Sequence, residues 1–137
     1  MIVAIILFYI SVIFVFLGKA IADIVSDEPH WKKSIFNKYP IDSFYGCKDD
    51  TWVRKHNYKN KYIKYLFQTI FVFTTDIWHF ANFIHVMGIY LSVISSFIFG
   101  YYYGFIFIYN IFGYIFLNLI GFHICYHYIL KRKKLEE

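Results

Sequence analysis

Six ionisable residues fall into three pairs at helical spacing, and each pair sits in an otherwise apolar stretch. Lys19 and Asp23 are four apart, Asp76 and His79 three apart, and His123 and His127 four apart. On a helix each of these spacings puts both partners on one face. Ionisable groups inside a membrane are costly and by default turn toward a partner or a cavity. Two histidines with one or two aspartates are the ligand set of a zinc-type divalent metal site with an open position, where bound water is activated for hydrolysis. His123 and His127 have the spacing of helical zinc sites, without the acidic residue that accompanies it. The chemistry expected is therefore metal-assisted hydrolysis of a lipid or amphiphile. Asp76 and His79 would form the centre, and His30, His123 and His127 would be further ligands or acid–base groups. Lys19 and Asp23 would orient the site or a substrate phosphate.

Each pair also has a plainer explanation. Histidines near a helix end bond carbonyls or snorkel to the interface, which would account for His127. Lys19 and Asp23 could be an interfacial ion pair, and Asp76 could make a structural hydrogen bond with Lys19 or His79. His85 lies off the Asp76 face by helical angle and is expected to pack or bond between helices. His56 reads as a solvated loop residue. The same polar pairs would thus serve a non-catalytic subunit or scaffold, or a homo-oligomer conducting ions or protons. No nucleotide-binding loop, nucleophile motif or paired-cysteine metal motif is present.

The elements that must position these residues are set by composition. Of 137 residues, 59% are hydrophobic and only 17% charged, against roughly a quarter charged in a soluble domain. The apolar residues come in long blocks, and about 20 such residues of helix cross a bilayer. The fold class expected is an all-α membrane protein of three transmembrane helices. They span Ile2 to about Ile24, about Leu66 to Ile98, and Tyr101 to Leu130. A cytoplasmic loop over about 25–65 joins the first two. The whole chain is one membrane domain. Met1 to Leu17 lacks a basic leader region and reads as a retained helix, not a secretory signal.

Charge sets the expected orientation. The loop carries Lys32, Lys33, Lys38 and further basic residues from Lys48 to Lys64, and Lys131, Arg132, Lys133 and Lys134 lie near the C-terminus. Positive segments stay cytoplasmic, and both do so only if an even number of spans separates them. That puts the N-terminus outside, the C-terminus in the cytoplasm, and Tyr101 to Tyr103 at the outer interface. The net charge of +5 is accounted for by this anchoring, so no nucleic-acid partner is expected; the bilayer is the partner. Cys47 and Cys125 would face a reducing cytosol as thiols. Gly88, Gly113 and Gly121 offer close helix approach. With the hairpin centred near Phe99, Asp76 and His123 fall at one depth, and all three pairs could converge on one cytoplasm-facing pocket.

A resemblance adds to this. Lys19-Ala20-x-x-Asp23, His30, Trp52, Asn57-Tyr58-Lys59 and Thr75-Asp76-x-Trp78-His79 resemble a family of small integral membrane proteins of Bacteroidetes and some of their phages. The likeness covers about residues 15 to 85. The family has no assigned activity, so it implies a membrane location and marks Lys19, Asp23, His30, Asp76 and His79 as motif positions. His123 and His127 fall outside the motif.

Overall fold

The computed structural model describes residues 2–26, 28–40, 43–47, 59–104 and 106–130. His56, Trp52, Asn57, Tyr58 and the terminal Lys131 to Lys134 lie outside these. All regular structure among the described residues is helical. In chain order it consists of α1 (Ile2–Val25), α2 (Glu28–Lys32), a 3-10 turn (Ile35–Lys38), α3 (Lys61–Thr69), a second 3-10 turn (Val72–Thr74), α4 (Ile77–Tyr103) and α5 (Ile106–Ile124). The chain then continues as a π-helical turn over Cys125–Leu130. Three helices are long and apolar enough to cross a membrane, Ile2–Val25, Ile77–Tyr103 and Ile108–Leu130.

Two boundaries differ from the sequence expectation. The second long helix begins at Ile77, well after Leu66, although the sequence stays apolar across most of the interval. A helix-start signal decides this: Asp76 adopts extended backbone and its carboxylate accepts the His79 N–H, satisfying a donor that the first turn leaves open. The stretch before it folds as α3 and a 3-10 turn instead. The hairpin turns at Gly104, not Phe99. Gly104 has φ 59°, a left-handed value that costs glycine little and other residues more.

α1 packs antiparallel to α4 and parallel to α5. Ser95 donates to the Ala4 carbonyl at 3.1 Å near one end, while Gly18 lies against Ala81 and His85 near the other. Gly18 and Gly88 are the points of closest approach. A Cβ at Gly18 would come within 2.6 Å of the Ala81 carbonyl oxygen, and one at Gly88 within 2.8 Å of the Val15 nitrogen. Small residues allow this close backbone approach. On α5 only Gly121 serves the same purpose, against the Phe16 ring; Gly113 has no atom within 4 Å of its Cβ position.

The densest packing lies at one end of the bundle. Ile24 and Val25 of α1, Ile77 of α4, and Cys125 and Leu130 after α5 form one buried cluster with Trp31, Phe36 and Cys47. The Trp31 indole donates to the Tyr45 carbonyl at 2.8 Å, and the Phe44 carbonyl accepts the Ile77 N–H at 2.8 Å. The segment after α1 thus folds over the helix ends, closing the first turn of α4 beneath it. No disulfide joins the two cysteines.

Candidate functional site

Asp76 is the most buried acidic or basic side chain among the described residues, at 2% exposure. Its Oδ1 accepts the His79 backbone N–H at 3.0 Å. Its Oδ2 accepts the Thr75 hydroxyl at 3.1 Å and faces His79 Nδ1 at 2.7 Å. A carboxylate only accepts, so His79 Nδ1 carries the proton in this contact. Burial pushes the Asp76 carboxyl upward, but the hydrogen bonds and charge of His79, with Thr75, more than offset this and hold it below the usual range. The result is an anionic acceptor locked to the residues three ahead and one behind it. Such a cap fixes where α4 starts and favours it through the positive end of the helix dipole.

The other two pairs stand apart from it. Lys19 Nζ donates to Asp23 Oδ1 at 2.6 Å on a partly exposed flank of α1. The rings of His123 and His127 lie 4.6 Å apart, both exposed and without an acid between them. The shared depth of Asp76 and His123 does not hold, because it rested on a turn at Phe99. With the turn at Gly104, His123 is level with His85, which is about 14 Å along the axis from Asp76. α1 gives the same answer independently: Val15 meets His85 and Phe16 meets Gly121. His30 stands at the covered end, its ring 6.3 Å from that of Tyr126. Among the described residues no three His, Cys, Asp or Glu side chains gather closely enough to hold a metal ion. The turn position thus separates His123 from Asp76 in depth, while His127, level with Ala81, stays within about one helical turn of His79, and the five expected ligands, Asp76, His79, His123, His127 and His30, form no single cluster.

Two polar features lie outside the three pairs. His85 Nδ1 lies 3.0 Å from the Val15 carbonyl, an oxygen that can only accept, so His85 donates across the α1–α4 crossing. Toward the Gly104 end, a cavity of about 720 Å³ opens between α4 and α5, lined by Ser92, Ser96, Gly100, Tyr101, Ile111 and Tyr114. Ser96 Oγ approaches Asn110 Oδ1 at 3.4 Å. The Tyr114 hydroxyl lies beside Ser92 and Asn118, yet neither closes on it at full hydrogen-bond geometry. Serine, asparagine and tyrosine scattered singly through apolar runs give no spacing signal, so only the packing of the hairpin brings them together. The lining holds no carboxylate or imidazole, so it offers contact surface and not acid–base chemistry.

No known protein family, no curated protein and no solved structure matches this chain.

Proposed function

We propose that this is an integral membrane protein crossing the bilayer three times, and that its role is that of a non-catalytic helical subunit or scaffold. The observation that carries the second part is the state of Asp76. A carboxylate offers about four acceptor positions, and Asp76 has three of them engaged by Thr75 and His79 in starting α4. Several other polar groups within the long helices are employed likewise. His85 and Ser95 bond to backbone carbonyls of α1, and Lys19 and Asp23 satisfy each other. Polar side chains used this way knit helices together in a medium that supplies no water. The wide apolar surfaces of α4 and α5, from Phe97 at 75% exposure to Phe112 at 67%, suit contact with lipid, a larger membrane assembly or a second copy of the chain. The two basic segments, separated by two spans, favour an orientation with the 26–76 stretch and the C-terminus in the cytoplasm. The resemblance noted above implies the same membrane location and adds no activity.

The test combines metal content with stability in detergent. Asp76→Asn keeps an oxygen to cap α4, whereas Asp76→Ala removes it; asparagine and aspartate cap about equally well, and alanine costs roughly 1 kcal/mol. The expected outcome is unfolding midpoints ordered wild type, Asn, Ala, with divalent metal far below one per chain throughout. Near-stoichiometric zinc, manganese or iron, lost in both Asp76→Asn and His79→Ala, would overturn this and restore the metal-assisted lipid hydrolase.

A further inference from the structure

We infer that α3 is a surface-lying membrane helix, its apolar face sunk into the bilayer interface and its lysines turned to anionic lipid headgroups. This rests on the membrane-spanning reading of the three long helices.

α3 is a well-formed helix that the described residues leave largely uncovered. The Asn60 side chain caps it, accepting the N–H groups of Tyr62 and Ile63, yet none of its residues is buried. At about 100° per residue, Tyr62, Ile63, Leu66 and Phe67 gather on one face, and Lys61 and Lys64 stand on the other. On the apolar face, Tyr62 is 81% exposed and Leu66 39%. A nine-residue helix is marginal alone in water, so an exposed apolar face of this kind calls for an apolar surface to lie on.

The connector says which surface. After α3 the chain does not lead away from the bundle: the Phe73 ring stacks on Phe83 at 4.5 Å, with planes 19° apart. Phe83 lies six residues inside α4, or about 9 Å along its axis. Phe83 is 41% exposed, on the outer flank of the bundle. The connector therefore runs beside the first turns of α4, at the level where a span enters the bilayer, and sets α3 there. Lysines on the polar face of such a helix meet lipid phosphates on the side where positive residues accumulate. A protein partner would need its own complement to this face, whereas the bilayer is already present at that position.

Spin labels on the full-length protein in vesicles test this. Cys47 and Cys125 are 0% and 5% exposed, so unmutated protein is the labelling blank for single Leu66→Cys, Lys61→Cys and Phe97→Cys variants. Vesicles are phosphatidylcholine alone or mixed with phosphatidylglycerol. The expected result is that oxygen relaxes the labels at Leu66 and Phe97, while a water-soluble nickel chelate relaxes the label at Lys61. Each lysine near an anionic surface strengthens docking about five-fold. Adding Lys61→Glu and Lys64→Glu to Leu66→Cys should therefore weaken docking at least 25-fold in the mixed vesicles at low salt, moving that label toward the nickel chelate. A Leu66 label open to nickel while the Phe97 label stays in lipid overturns the inference alone. A Leu66 label shielded from both reagents also overturns it, since protein would then cover the face. Charge reversal without effect removes the headgroup contact. A Phe97 label open to nickel would bring down the membrane-spanning reading itself.

Discussion

Replacing Gly18 by alanine should loosen the α1–α4 crossing, while the same change at Gly113 should tighten its helix. The new Cβ at position 18 would lie 2.6 Å from the Ala81 carbonyl oxygen and 2.7 Å from the His85 nitrogen, where ordinary contact begins near 3.4 Å. Both obstacles are backbone, so no side chain can swing aside and α1 must retreat by roughly 0.8 Å. A gap of that size forfeits about a quarter to a half of the dispersion well across the contact. It also stretches the 3.0 Å bond from His85 to Val15 toward about 3.8 Å, past hydrogen-bond range. Overpacking costs about 1–3 kcal/mol and the interhelical bond about 0.6; alanine's better helix preference returns up to about 1. The net expectation is a loss of about 1.5 kcal/mol. Gly113 meets nothing within 4 Å, so alanine there keeps only the gain, about 0.5–1 kcal/mol. Unfolding in mixed detergent–SDS micelles, followed by circular dichroism, measures both. Equal effects at the two glycines, or a Gly18→Ala protein as stable as wild type, would refute the close-packed crossing.

Three further expectations follow from the same contacts. Asp76 has a native pKa below its unfolded value near 3.9, so it contributes stability that is fully present above about pH 4 and is lost as pH falls through the lower native value. Wild type should lose stability across that range while Asp76→Asn does not share the drop; parallel pH profiles would contradict the capping role. His85→Ala and Ser95→Ala should each cost about 0.6 kcal/mol and add when combined, since their bonds lie at separate levels of the crossing; a double-mutant cycle with strong coupling would count against that. Trp31→Phe removes the indole donor to Tyr45 from a buried site and should cost about 1–2 kcal/mol, with faster proteolysis of the segment folded over the helix ends. Unchanged cleavage would mean that the bond does not hold it.

The polar pairs were legible in the sequence because helical spacing alone predicts neighbours. Lys19 with Asp23 and Asp76 with His79 do meet, as any i,i+4 or i,i+3 pair on a helix, or at its cap, is able to do. Their convergence was not legible, since relative depth depends on where a hairpin turns. Phe99 and Gly104 differ by five residues, and the mismatch doubles across two antiparallel helices to about 15 Å. The start of α4 was misplaced for a related reason: hydropathy averages over a run, whereas a helix begins at one residue with a cap. Thr75-Asp76-x-x-His79 carries that signal inside the apolar block, where the same residues also read as a metal-ligand pair.

By itself the sequence determined the long apolar helices, their number and the basic segments between and after them. These follow from composition and spacing, which act within one element. Only the tertiary structure decided which of the scattered polar atoms would face one another. It set α1 against α4 through two glycines, gave His85 a carbonyl on another helix, and spent the Asp76 carboxylate on a cap under a folded-over segment. Such pairings join residues up to 91 positions apart, as Ser95 and Ala4 are. They are fixed by helix depth and rotation, and no local pattern encodes those.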